Sequence, residues 1–326
     1  MSVYTVLSAE QINQFAQGYG KTVQRITPIQ QGIENSNWFV DMVDGQRAVL
    51  TVFEELDLAG ATGLAGLLDG IAAQGLPVAA PWRNQAGQRL SVLADKPAQF
   101  APCLQGQHPM QPTPAQCAAM GEGLARLHVA MQSVALDKPN AHGQAWWQYT
   151  ASTLTPSMNA DDQTLLEGLF TQFAATQTQI GAQVGALPRG LIHGDLFRDN
   201  TLFDGDGLTG ILDFSECCVD DYLLDIAITL NDFCSAWPSV QLDQAKKTAF
   251  IAGYQQVRAF TTDEQNALPV YLAMAAGRFW LSRLQVAERN ASEGRVSEHV
   301  LQKDPNEMRE MVRDRLYNNE PHARWE

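Results

Sequence analysis

One stretch constrains this chain more than any other: LIHGDLFRDNTLFDGDGLTGILDF, residues 191–214. An apolar run suited to a strand leads into His193, and Asp195 and Asn200 follow in the spacing H-x-D-x-x-x-x-N. Two more short apolar runs flank a turn expected at Asp204 to Gly207, since Asp and Gly supply the local hydrogen bonds and backbone freedom of tight turns. A further carboxylate, Asp213, closes the stretch. Asp204 and Asp206 read as turn residues only. Asp195, Asn200 and Asp213, ordered along a strand, a loop and a hairpin, form a set of oxygen donors. Such a set suits a hard divalent cation and a hydroxyl that must lose its proton.

The remainder of the chain offers room for a cleft around that set. At 326 residues it exceeds one usual domain, so two lobes are expected. With 45% hydrophobic and 18% charged residues and no run of 18 apolar residues, no membrane partner is expected. The N-terminus lacks the basic and apolar regions of a secretory signal, so the expected location is the cytoplasm. The five cysteines (Cys103, Cys117, Cys217, Cys218, Cys234) show no metal spacing and read as reduced. Twenty-two basic against 36 acidic side chains give a net charge of −14, which argues against nucleic acid as a partner. An anionic ligand would have to be held by local devices.

Periodicity places the elements. Ser8 and Gln11 read as a capping box, with Ile12, Phe15, Ala16 and Tyr19 at helical spacing. Three antiparallel strands are expected between Val23 and Glu54, with an Asp44-Gly45 turn joining the second and third. A helix carrying Leu64, Leu67, Leu68 and Ile71 and two short strands lead to about Leu104. Thr113 as N-cap and Pro114 at the first helical position open a helical region. Further helices are expected over 161–180, 221–234, 242–260 and 263–290, and Asp304 with Pro305 and Glu307 reads as a last capping box. The fold class is therefore α+β and bilobal: residues 1–104 a small antiparallel-sheet N-lobe with a hinge at its end, and 105–326 a larger, mainly helical C-lobe.

The order His193, Asp195, Asn200, Asp213 resembles the catalytic loop and metal-binding Asp of protein kinases, in the variant found in aminoglycoside phosphotransferases. The resemblance implies a protein-kinase-like fold that uses ATP and Mg²⁺. Asp195 would orient the acceptor hydroxyl and take its proton, and Asn200 and Asp213 would hold Mg²⁺. Asp225 would tie down the catalytic loop, and His193 would support its backbone. The loop containing Gly32, Ser36 and Asn37 falls where this fold covers the phosphates, although it is also readable as a plain hairpin turn. In FAPCLQG, the Pro102 carbonyl and the Leu104 N–H would bond adenine. Where the third strand normally presents a phosphate-binding Lys, this chain has Thr51, and the following helix has no Glu in its central turns.

A narrower resemblance rests on GIENSNWFV, AVLTVFEE, LPRGLIHGDLFRDNTLFDGD, GILDF, DIAITLNDFC, GRFWLSRL and KDP, from about residue 32 to about 305. These segments look like homoserine kinases of the aminoglycoside-phosphotransferase-like type. That implies ATP-dependent phosphorylation of L-homoserine, a small-molecule substrate, in threonine biosynthesis. Arg278 and Arg283 are candidates for the substrate carboxylate, because a guanidinium fork matches it, and Asp232 for its ammonium. Each of the three is equally readable as one end of a packing salt bridge. Lys303 has no assigned role, and the sequence gives no oligomeric state. Two rival readings stay open: another kinase of this fold acting on an aminoglycoside, choline or methylthioribose, and a non-catalytic nucleotide-binding regulator.

Overall fold

The computed structural model of the protein describes residues 5–29, 35–182, 187–293 and 303–318. Its N-terminal part is built on alternation. In β2 (Asn35–Met42) every second side chain is buried, and β3 (Arg47–Phe53) repeats the pattern. With β1 (Val23–Ile29), β4 (Ser91–Leu93) and β5 (Lys96–Pro102) they form an antiparallel five-stranded sheet in the order β1-β2-β3-β5-β4. One face is covered by α1 (Ala9–Gln17), whose Ile12, Phe15 and Ala16 pack on Trp38, Val40, Leu50 and Phe100. The Ser8/Gln11 capping box that starts α1 is formed. The opposite face of β2 and β3, carrying Asn37 and Thr51, is only partly buried. The helix α2 (Leu58–Ala73) buries Leu67, Leu68 and Ile71, as its spacing requires.

The C-terminal part is helical around one apolar core. Its elements are α3 (Pro114–Met131), α4 (Gln144–Leu154), α5 (Ala160–Ala182), α6 (Tyr222–Phe233), α7 (Gln244–Gln255), α8 (Thr262–Ser292) and α9 (Pro305–Tyr317). Thr113 and Gln116 form the capping box of α3. Every residue of α6 is buried, which makes it the central post of this part. Into this bundle is set the island with the site: β6 (Arg189–Ile192), the hairpin β7 (Thr201–Asp204) and β8 (Gly207–Ile211), and β9 (Cys218–Asp221). Among the described residues no helix is long and apolar enough to cross a membrane.

Three expectations need correction. α4 is absent from the sequence reading because its N-cap, Gly143, offers no side-chain bond; only the burial of Trp147, Ala151 and Leu154 on one face holds it. β9 carries two acidic residues and pairs with β6, remote in sequence, so no local signal marks it. Asp304 does cap α9, accepting from the Asn306 N–H, but Glu307 is bonded to Arg283 instead of closing a capping box.

Candidate active site

The catalytic loop begins where β6 ends. Gly194 has φ +78°, and a Cβ there would lie 2.7 Å from the Glu216 carbonyl oxygen, so glycine alone lets the chain turn against that loop. Asp225, fully buried at the start of α6, accepts from the backbone N–H groups of His193 (2.8 Å) and Gly194 (2.9 Å). His128 on α3 reaches the same carboxylate through Nε2 at 3.0 Å, while its Nδ1 lies 2.8 Å from the Tyr254 hydroxyl. Burial alone would raise the Asp225 pKa, but the bond and charge from His128 and the loop N–H groups hold it below the usual carboxylate value. The His193 ring, buried, bonds the Leu212 carbonyl through Nε2 at 2.8 Å, linking the loop to the strand before Asp213. Its Nδ1 accepts from the Asp195 N–H at 3.3 Å.

Asp195, Asn200 and Asp213 come together at the mouth of this loop. Asn200 Nδ2 donates to the Asp195 carbonyl (2.8 Å) and to Asp195 Oδ2 (3.2 Å), which turns the Asn200 amide oxygen outward. Asp213 is exposed, has φ +54° and accepts from the Ser215 N–H at 3.2 Å. Among the described residues no three His, Cys, Asp or Glu side chains form a metal cage. One carboxylate and one amide oxygen nevertheless fit Mg²⁺, which takes few protein ligands and completes its shell with phosphate and water. The Asp195 pKa is pushed up to about 7, first by burial; the charges of Asp213 and Glu216 add to the rise, and Arg278 and Lys303 oppose it.

The nucleotide side differs from the sequence reading. Gly32 lies outside the described residues. Ser36 is not in a phosphate-covering loop: it belongs to β2, is fully buried, and its hydroxyl bonds Glu54 and the Thr5 N–H. Strand alternation puts it on the sheet face opposite Asn37. Asn37, also on β2, stands opposite Thr51 and accepts from the Thr51 hydroxyl at 2.8 Å. Gln99 follows in register across β5, buried with its Oε1 unpartnered among the described residues. A neutral polar row, Asn37, Thr51 and Gln99, thus crosses the sheet around Thr51, the residue the sequence places where kinases normally present a lysine. One ion pair of this part, Lys96 with Glu54, lies on the Ser36 side of the sheet. Pro102 ends β5, and Leu104 sits in the extended segment beyond it.

On the acceptor side two of three sequence candidates are corrected. Asp232 is buried and engaged by Arg198: its Oδ2 accepts from the Arg198 N–H (2.7 Å) and Arg198 Nε (2.9 Å). Burial raises its pKa, and Arg198 opposes the rise. Arg283 ties α8 to α9 through the Asp304 carbonyl (2.7 Å) and Glu307 (2.8 Å). Arg278 does face the site. Its Nη2 donates to Glu216 Oε2 at 2.6 Å, and His142 Nδ1 lies 2.7 Å from that oxygen. Glu216 and His142 were missed, because nothing local joins a loop before α4, a loop after Asp213 and the middle of α8. Lys303 rests on Asp199 at 3.1 Å and over the Phe197 ring at 5.3 Å, beside the catalytic loop. A groove of about 610 Å³ between α4 and α5 includes none of these residues.

A sheet-plus-helix frame with Asp195, Asn200 and Asp213 gathered on one loop and hairpin is the arrangement of a phosphotransferase of the kinase-like class. The chain matches the Phosphotransferase enzyme family over residues 25–260 and belongs to that family. Within it, similar curated proteins are the homoserine kinases of Methylobacillus flagellatus (40% identical, covering 87% of each chain) and Polaromonas naphthalenivorans (38%, covering 97% of this chain and 98% of that one). That of Neisseria meningitidis serogroup B is 36% identical and covers 96% and 99%. Among solved structures, an amicoumacin kinase in complex with AMP-PNP and Ca²⁺ superposes with a TM-score of 0.69 at 14% identity, covering 96% of this chain and 94% of that one. A choline/ethanolamine kinase family protein from Mesorhizobium loti gives 0.60 at 16%, covering 93% and 88%. At such identities these two speak for the fold alone.

Proposed function

We propose that this protein is an ATP-dependent homoserine kinase, transferring the γ-phosphoryl group to the side-chain hydroxyl of L-homoserine, a step toward threonine. The observation that carries this reading is the likeness to homoserine kinases along nearly the whole chain, joined to a site with Asp195, Asn200 and Asp213 in place. In this reading Asp195 orients the acceptor hydroxyl and receives its proton, and its raised pKa suits a base working near neutrality. Asn200 and Asp213 would hold Mg²⁺, which when bound neutralises phosphate charge. Arg278 would receive the acceptor carboxylate. Pro102 and Leu104 would bond adenine at the hinge, with residues 1–104 as the nucleotide-binding lobe and 105–326 as the catalytic lobe. Asp225 and His193 act as supports of the loop. A cytoplasmic enzyme agrees with this substrate and with the free state of all five cysteines.

The test is a panel of acceptors with ADP release as the readout. L-homoserine should be turned over well, and L-serine and L-threonine poorly, because a chain changed by one carbon or one methyl misplaces the hydroxyl relative to Asp195. Efficient turnover of kanamycin or choline with none of L-homoserine would overturn the reading.

A further inference from the structure

The ion pair of Arg278 and Glu216 joins two segments beside the catalytic loop, and each partner keeps an unused end. Glu216 accepts through Oε2 alone; Oε1 makes no hydrogen bond among the described residues, and the side chain is 26% exposed. Among the described residues Arg278 donates through Nη2 alone, and its guanidinium carbon lies 4.0 Å from the centre of the Phe279 ring. His142 Nδ1 sits 2.7 Å from Glu216 but 3.3 Å from Arg278. The shorter, charge-assisted contact decides the tautomer: Nδ1–H donates to the carboxylate. Glu216 is therefore anchored from two sides on one oxygen with the other left open. Burial works against its ionisation, but the His142 bond and the Arg278 charge outweigh it and keep the carboxyl below its usual pKa. Its backbone is packed against Gly194, the residue before Asp195.

A free carboxylate oxygen and free guanidinium N–H groups, held side by side next to the catalytic carboxylate, match the two charges of an α-amino acid. We propose that Glu216 and Arg278 form a clamp for the acceptor's zwitterionic end, Glu216 taking the ammonium and Arg278 the carboxylate, with His142 as the positioning residue for Glu216. The proposal rests on the homoserine kinase reading and assigns the anionic contact to Glu216, since Asp232 is already paired with Arg198. The pair need not open, since neither free end is used in holding the other. The clamp fixes one end of the acceptor while Asp195 holds its hydroxyl.

The experiment compares L-homoserine with 4-hydroxybutyrate, which lacks only the ammonium, in the wild type, Glu216→Gln and Glu216→Asp. In the wild type, kcat/KM should favour L-homoserine strongly. Glu216→Gln should lower kcat/KM for L-homoserine by about thirtyfold or more, as expected for losing one partner of a desolvated charge pair. It should change 4-hydroxybutyrate less than threefold and leave KM for ATP within about twofold, so the preference collapses. Glu216→Asp, which keeps the charge, should retain most of it. An equal loss for both acceptors would mean that Glu216 only supports Arg278 or the fold, and would overturn the clamp. So would an unchanged preference in Glu216→Gln. A wild type that turns over another acceptor but not L-homoserine would instead fail the reading beneath it, and the clamp with it.

Discussion

Asp195 holds its proton up to about pH 7 because the loop buries it beside Asp213 and Glu216. In the proposed reading Asp195 is the general base and must be free of that proton, so kcat/KM of the free enzyme should rise with pH on a limb centred near 7. The same shift acts on stability with opposite sign. Between the ordinary value of 3.8 and about 7 the folded chain binds a proton that the unfolded chain has released, so stability falls as pH rises through that window. Asp195→Asn removes this loss: its melting temperature should match the wild type at pH 4 and exceed it at pH 8. A variant no more stable at pH 8 would place the raised pKa in doubt. Thr51 carries a smaller load. Its hydroxyl bonds Asn37, and a neutral hydrogen bond contributes about 0.5–1.5 kcal/mol. Thr51→Ala should therefore lower kcat/KM by roughly tenfold or less. A loss near a thousandfold in folded protein would assign the Asn37–Thr51–Gln99 row a direct part in catalysis.

Between elements, the close approach of α3 and α7 is the tightest constraint. A Cβ on Gly121 would lie 2.0 Å from the Phe250 carbonyl oxygen, and one on Gly253 2.0 Å from the Ala118 carbonyl oxygen. Backbone cannot yield as a flexible side-chain end can, so the two helices would have to part. α3 also carries His128, which holds Asp225 and through it the catalytic loop. Gly253→Ala should thus cost about 1–3 kcal/mol or more in stability, read as a lower urea midpoint, although it is remote from the reacting atoms. An unchanged midpoint would show that the crossing is looser than these distances imply. At this scale much was legible in the sequence. The capping box at Ser8, the Thr113 N-cap, the Asp44-Gly45 turn and the 204–207 hairpin turn all formed, because the interactions that specify them lie within a few residues. α4 and β9 were not legible, since tertiary burial and a distant strand hold them in place of local bonds.

At the scale of the whole molecule, a chain of net charge −14 binds an anionic nucleotide in the proposed reading, so the cation that accompanies it matters. Mg²⁺·ATP at a hundred times its Kd should stabilise the folded protein by about 2.7 kcal/mol, measured as a rise in melting temperature. Asp213→Ala should abolish that rise and Asp195→Asn should keep it, because the metal is assigned to Asp213 and the acceptor to Asp195. Equal loss in both variants would merge the two roles. The sequence by itself determined the order of the elements other than α4 and β9 and the presence of Asp195, Asn200 and Asp213, because one short stretch carries the loop, its turn and its donors. It could not determine the acceptor site. Whether Asp232 and Arg283 face a ligand or another side chain is decided by partners far along the chain, Arg198 for the first and Glu307 for the second. Ser36 was lost to Glu54 in the same way, by the face its strand happens to bury. Only tertiary packing brought His142, Glu216 and Arg278 from three segments to one place, since complementary charge has no sequence spacing until the fold supplies a distance.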